Sequence, residues 1–162
     1  MTDLPLGSAN PAGTFYQNKI YIAGGESTNG PSEQFFSLDI SSGKAKWELL
    51  AKLPMAVSHA VMVTQTNGSI TSLYLIGGRR KDANGISEMY AAVYRYDINA
   101  NKWIACQPLP YPLSAQTGDA YGKENVLIFG GDEGEVYTKV EKMLSAIDQE
   151  KDSLRKAKLT AE

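Results

Sequence analysis

Glu26, Arg79-Arg80 and Asp132-Glu133 each follow directly on a glycine pair: Gly24-Gly25, Gly77-Gly78 and Gly130-Gly131. A guanidinium at such a place can grip a carboxylate with two parallel hydrogen bonds. Arg79 stands nearest the apolar run before its glycines, which makes it the leading candidate for that role. A second set comprises Asn10, Ser58, His59, Ser114 and Gln116, at the lead-in to the polar segments that precede those runs. Their amide, hydroxyl and imidazole groups suit hydrogen bonding to hydroxyls. His59, the only histidine, titrates near neutrality and is a candidate general base. Asp132, Glu133 and Glu135 are close enough in sequence to raise a paired-carboxylate site, although adjacent strand residues point apart. Each residue also has a plain structural use. Loop charges are commonly solvated or ion-paired. Small polar side chains at strand ends commonly satisfy backbone groups, and a histidine with no carboxylate beside it in sequence is commonly structural.

Other chemistries find no support. There is no Gly-x-x-x-x-Gly-Lys-Ser/Thr phosphate loop, no Gly-x-Gly-x-x-Gly fingerprint and no Gly-x-Ser-x-Gly elbow. One cysteine, Cys106, and one histidine do not make a structural zinc site, so no metal or cofactor is implied. A lone cysteine also rules out an intrachain disulfide. Asn67-Gly68-Ser69 is formally a glycosylation sequon, but a tight hairpin loop explains it. The formal net charge of −2 offers no excess for nucleic acid or an anionic membrane. No apolar stretch reaches the roughly 18 residues of a membrane span. Met1 to Gly7 has neither a basic region nor an apolar core and is not a signal peptide. A signal already removed, or lying on a longer parent, leaves the compartment open.

The elements that must position these residues come from an internal repeat. Ile20–Gly25, Leu73–Gly78 and Val126–Gly131 are short apolar runs ending in Gly-Gly, with successive pairs 53 residues apart. Trp47 and Trp103 are each followed six residues later by Leu-Pro, at Leu53-Pro54 and Leu109-Pro110. Leu38-Asp39 and Tyr96-Asp97 precede the tryptophans. Each unit reads as four strands: a small or polar one, the apolar run, an alternating one, and one that starts at the tryptophan. Four short strands per unit of about 50 residues is the kelch pattern. The tryptophans and the tyrosines Tyr21, Tyr74 and Tyr96 are expected in the core between units.

These markers place a unit boundary at Leu4-Pro5. Blade one is then 6–52, blade two 53–108, and the first half of blade three 109–134. After Gly131 the pattern stops, with neither Trp nor Tyr-Asp. Val136, Val140, Met143, Leu144, Ile147 and Leu154 share one helical face instead, supported by Glu135–Lys139 and Asp152–Lys156 pairs. A helix over 135–158 is expected, docked by its apolar face on the rim, with a partner-binding helix as the sharper reading. Propellers close with roughly four to eight blades. Two and a half blades would leave apolar faces open, so the chain is expected to be part of a longer protein or to self-associate.

The apolar-Gly-Gly, Tyr-Asp, Trp and Leu-Pro markers resemble Kelch repeats over residues 4–131. The fold class expected is therefore mainly β: a partial Kelch-type β-propeller of about 2.5 blades with a C-terminal helix inserted in the third. Leu4-Pro-Leu-Gly-Ser-Ala-Asn-Pro-Ala-Gly13, Ile128-Phe-Gly-Gly-Asp-Glu-Gly134 and the charged helix with Ala146-Ile-Asp-Gln-Glu-Lys-Asp152 resemble the cyclically permuted mutarotases and N-acetylneuraminate epimerases. In that family a helical insertion interrupts one blade between its second and third strands. The resemblance implies interconversion of the α and β anomers of a sialic acid, a small sugar partner, and a periplasmic or secreted setting. It also implies a catalytic Glu and Arg in a Gly-Glu-x5-Arg row. Gly25-Glu26 begins such a row, but Ser32 stands where the arginine would be. No catalytic residue is assigned, and the chain is expected to be inactive alone. A non-catalytic Kelch protein-interaction or carbohydrate-binding module is the competing reading, because one fold hosts both.

Overall fold

A strand paired on both edges and packed on both faces needs apolar side chains on both sides, which the Gly-Gly runs supply. The computed structural model describes residues 3–5, 7–41, 45–82 and 85–160, and the side chains of 135–138 and 154–160 lie outside that description. Blade one holds β1 (Ala12–Tyr16), β2 (Lys19–Ala23), the two-residue strands β3 (Glu26–Ser27) and β4 (Gly30–Pro31), β5 (Phe35–Asp39) and β6 (Trp47–Leu49). Its antiparallel sheet runs β1-β2-β5-β6, with β3 and β4 forming a separate small hairpin. Blade two repeats this with β7 (Val61–Thr66), β8 (Thr71–Ile76), β9 (Arg79–Lys81), β10 (Ser87–Met89), β11 (Val93–Asp97) and β12 (Lys102–Ala105). Its sheet runs β7-β8-β11-β12, and β9 pairs β10 apart from it. β13 (Thr117–Tyr121) and β14 (Asn125–Phe129) form a two-stranded sheet, followed by α1 (Glu135–Thr160). The fold is thus a partial Kelch-type β-propeller, mainly β, with one helix among the described residues. β1 and β13 both lie against β7, and Thr14 Oγ1 meets Thr64 Oγ1 at 2.9 Å across the first seam.

The repeat markers have physical assignments. Asp39 Oδ1 accepts the amide of Ser41 at 2.9 Å, and Asp97 Oδ1 accepts those of Asn99 and Ala100 at 3.0 Å. The aspartate of each marker therefore builds the turn between the third and fourth strands of its blade. Tyr96 and Trp103 belong to blade two but seal blade one. Phe35, fully buried, lies 4.8 Å from the Tyr96 ring in an edge contact and 5.0 Å from Trp103. Trp103 Nε1 donates to the Ala51 carbonyl at 3.0 Å, and the Ala51 amide donates to Asn101 Oδ1 at 2.9 Å. The same Asn101 oxygen accepts the Tyr96 hydroxyl at 2.6 Å. Burial pushes that hydroxyl up to about 12, so it stays protonated. Blade two thereby holds the link between blades by both polar groups of one residue.

Alternation fixes which faces are covered. Tyr21, Phe35, Leu73 and Tyr96 turn into the first seam and are buried. In β14, Val126 and Ile128 turn toward blade two, whereas Leu127 and Phe129 face away and are 41% and 56% exposed. β8 is buried on both faces, as its run of apolar residues requires, and β14 is not.

The glycine pairs mark where blades touch. Gly24 and Gly77 have φ of +65° and +63°, and a Cβ on either would run into the carbonyl oxygen of Val57 or Leu113 in the following blade. Gly25 donates to that Val57 oxygen at 2.9 Å, and Gly78 donates to the Leu113 oxygen at 2.8 Å.

The helix departs from expectation. It docks by a carboxylate: Glu141 accepts the Ser87 amide at 2.6 Å and the Ser87 hydroxyl at 3.2 Å, with Lys81 Nζ at 3.5 Å. Val140, Met143, Leu144 and Ile147 are exposed, so the apolar stripe is not the docking face. About 100° of turn separates neighbouring residues on a helix, so Glu141 stands well to one side of that stripe. Leu154, Val136, Glu135 and the Asp152–Lys156 pair involve side chains outside the described set.

Phe35→Ala is expected to lower stability by about 3–5 kcal/mol, because it removes the ring at the centre of the first seam. Phe15→Ala, at a residue 54% exposed on blade one's other face, is expected to stay within about 0.5 kcal/mol. Equilibrium urea unfolding of both variants checks the contrast.

Candidate functional site

The three lead-ins share one backbone device. Asn10, His59 and Ala115 have φ of +52°, +55° and +55°, a conformation that costs about 1–2 kcal/mol for a residue with a Cβ. His59 donates its amide to the Asn10 carbonyl at 3.0 Å, and Ala115 donates to the His59 carbonyl at 2.9 Å. Just ahead of each, Ala9, Ser58 and Ser114 form an isolated antiparallel bridge with Glu26, Arg79 and Asp132 respectively. Two pairs of candidates named from sequence, Ser58–Arg79 and Ser114–Asp132, are therefore cross-strand partners, and Ala9–Glu26 repeats the bridge in blade one.

At the first seam the side chains join. Arg79 Nη2 lies 3.3 Å from His59 Nε2, and His59 Nδ1 lies 3.0 Å from Ser58 Oγ. Ser58 Oγ lies 3.1 Å from Glu26 Oε2, and His59 Nδ1 is 4.0 Å from Glu26 Oε1. The donors fix the direction of this row. A guanidinium only donates, so Nε2 accepts and the imidazole proton sits on Nδ1. That proton points to Ser58, whose hydroxyl then donates to Glu26 or to the Arg79 carbonyl, 3.3 Å away. Ser58 is buried, while His59, Glu26 and Arg79 keep partial access to solvent. Burial lowers the His59 pKa below 6.5, the Arg79 charge lowers it further, and Glu26 opposes both. The result is a neutral imidazole between a cation and an anion, an arrangement able to bind a carboxylate at Arg79 and to accept or pass a proton.

The remaining candidates stand elsewhere. Arg80 turns out onto its hairpin, with Nε 3.0 Å from Glu88 Oε2 and the guanidinium 5.9 Å from the Tyr90 ring centre. Asp132 Oδ1 accepts the Gly134 amide at 2.7 Å and shapes the chain ahead of α1. Ser114 is buried. Gln116 is buried as well, and its Nε2 donates to the Ile76 carbonyl at 2.7 Å. Asn10 is exposed, and its carbonyl is engaged by His59. Glu133 is exposed, and the Glu135 side chain lies outside the described residues. Among the described residues no group of three or more His, Cys, Asp or Glu side chains could hold a metal ion. No helix among them is long and apolar enough to cross a membrane. What the sequence left unseen was the side-chain row itself. A carboxylate at the equivalent position one repeat before Arg79, with His59 between them, was the available signal.

His59 is expected to titrate below 6.5 by NMR, and Arg79→Gln is expected to move it upward. The sign for stability follows. The unfolded histidine binds the proton first, so this group's contribution is full above pH 6.5 and declines as pH falls from there to the folded value. A His59 pKa at or above 6.5 in the folded chain would contradict the arrangement.

The family model for N-acetylneuraminate epimerase matches residues 1–161. The N-acetylneuraminate epimerase of Haemophilus influenzae (strain PittEE) is 26% identical over 130 residues, covering 80% of this chain and 32% of the relative. N-acetylneuraminate epimerase 1 of Escherichia coli (strain CFT073) is 31% identical over 102 residues, covering 63% and 25%. Beta-scruin of Limulus polyphemus is 27% identical, covering 80% and 14%. The solved structure of YjhT superposes with a TM-score of 0.68 at 20% identity, covering 83% of this chain and 37% of that one, and supports the shared fold. The chain spans about a third or less of the length of these relatives. With a match along almost its whole length, the chain belongs to the N-acetylneuraminate epimerase family.

Proposed function

We propose that this chain is the propeller portion of a sialic acid mutarotase-like protein, which binds N-acetylneuraminate at the first seam and is inactive alone. The observation that carries the reading is the Arg79–His59–Ser58–Glu26 row at the loop end of the blades. A sialic acid presents a carboxylate next to its anomeric carbon. Arg79 suits the carboxylate through paired N–H bonds. Its transfer from His59 to the sugar would free Nε2, an acceptor kept neutral by burial and by the arginine itself. Ser58 and Glu26 hold the opposite edge of the ring, so the imidazole keeps its orientation.

Mutarotation needs a base for the anomeric hydroxyl proton and an acid for the ring oxygen. The residues at this seam supply one acceptor and one binding cation. The Gly-Glu-x5-Arg row implied by the family resemblance is absent from these 162 residues. Binding without turnover is the consequence. That same absence favours the second reading, a non-catalytic carbohydrate-binding or protein-interaction Kelch module.

Saturation-transfer NMR with N-acetylneuraminate is expected to detect binding to the chain, weakened at least about tenfold by Arg79→Ala. Exchange spectroscopy of the α and β anomers is expected to give the buffer rate with the chain alone. Faster exchange would remove the claim of inactivity. Equal binding by the chain and Arg79→Ala would remove the proposed carboxylate site, and no detectable sugar binding would leave the protein-interaction module as the better reading.

A further inference from the structure

A second polar pocket lies at the opposite end of blade two. From Ser72 the chain runs along β8 to Ile76, about 13 Å at roughly 3.3 Å per strand residue, before it bends at Gly77-Gly78 to reach Arg79. The pocket has a volume of about 240 Å³, and Gln65, Ser72, Tyr74, Arg95, Lys123 and Asn67 contribute to its walls. That is below the roughly 300–1,000 Å³ of sites for drug-sized ligands. Alternation along β7, β8 and β11 sends Gln65, Ser72, Tyr74 and Arg95 to the same side, the one facing blade three. Gln65 closes the wall by donating Nε2 to the Asn125 carbonyl of β14, while its Oε1 accepts the Thr66 amide at 2.7 Å.

The free hydrogen-bonding capacity of this pocket is one-sided. Arg95 is half-buried and donates Nη1 to Ser72 Oγ at 3.4 Å. Among the described residues no carboxylate comes within 4.0 Å of its guanidinium. Ser72, itself buried, accepts that bond and keeps its hydroxyl proton to give. The Asn67 oxygen is taken by the amides of Ser69 and Ile70, at 3.0 and 2.9 Å, which leaves its NH2 group as the free end. Tyr74 adds a hydroxyl and Lys123 an ammonium. Glu124 is the one carboxylate on the lining, and it is exposed. A half-buried guanidinium that lacks an anion, ringed by hydroxyl, amide and ammonium donors, calls for an oxyanion.

We infer that the Arg95–Ser72–Lys123 pocket between blades two and three binds a small tetrahedral oxyanion, a free phosphate or sulfate or the phosphoryl group of a larger ligand. Arg95 provides the paired N–H bonds, Ser72 a hydroxyl donor from the buried wall, and Lys123 a mobile charge at the opening. The site is independent of the seam that holds His59, because no residue is shared.

Backbone amide NMR of the full chain, titrated with potassium phosphate at constant ionic strength held with chloride, tests this. Saturable shifts at Ser72, Tyr74, Arg95 and Lys123 are expected, with sulfate behaving alike and acetate binding at least tenfold more weakly. Arg95→Gln is expected to weaken phosphate binding at least tenfold. Ser72→Ala, which leaves the charge in place, should weaken it several-fold, while Lys52→Gln on blade one should change nothing. Shifts that grow linearly without saturating, or equal titrations for the chain and Arg95→Gln or Ser72→Ala, would overturn the site. Acetate binding as tightly as phosphate would overturn its assignment to a tetrahedral oxyanion. A phosphorylated sugar competing with phosphate at the same amides would identify the larger ligand as the source, and failure to compete would leave free phosphate or sulfate.

Discussion

The second glycine of the first two pairs donates its amide to a carbonyl of the next blade, at Gly25–Val57 and Gly78–Leu113. The first glycine lies so close to that carbonyl that no side chain fits. Much of the fold depends on this close approach of two backbones. It sets the spacing of neighbouring sheets at their loop end. With that spacing fixed, Phe35 can sit among Tyr21, Tyr96 and Trp103. The aromatic contacts supply much of the buried area, and the amide bonds set where it forms. Hydrogen bonds of this kind add modest net stability each, but a buried amide left without a partner is costly.

The same constraint assembles the polar row. Because the chain turns immediately after the glycines, the residue that follows is aimed at the lead-in of the next blade or of its own. Glu26 reaches forward to Ser58, and Arg79 reaches back to His59. Two blades therefore furnish one cluster, and neither could form it alone. The connection that begins there also tolerates very different inserts: a minimal hairpin in blade one, a longer hairpin in blade two, and a helix after blade three's second strand. The first residues of the two hairpins, Glu26 and Arg79, belong to the seam's polar row.

Much of this was legible in the sequence. Glycine pairs at a constant interval, the aspartate before each turn and the tryptophan after it gave the sheets and their order. The reasons are local: a turn, a bend and a buried ring each demand a residue type. The hairpins β3–β4 and β9–β10 escaped notice because strands of two or three residues show no period. The Glu141 contact escaped for a different reason. A helix with an apolar stripe is expected to dock through it, yet α1 docks through one carboxylate on the amide and hydroxyl of Ser87. The link from Glu26 to Arg79 spans two blades and runs through His59 and Ser58, so no spacing rule within one repeat could show it. Position in the repeat alone does not separate Ser58 and His59, which join the row, from Ser114 and Gln116, which are buried outside it.

The run of left-handed residues Asn10, His59 and Ala115 has a wider consequence. Their carbonyls and amides form a chain of backbone bonds that uses no side-chain atom, although the left-handed φ disfavours β-branched residues there. An amide, an imidazole and a methyl group occupy equivalent slots in successive blades without altering the frame. Architecture and chemistry are thus written in separate parts of the same residue. A propeller built this way can change what it recognises one blade at a time, by substitution among the residues that accept a left-handed backbone.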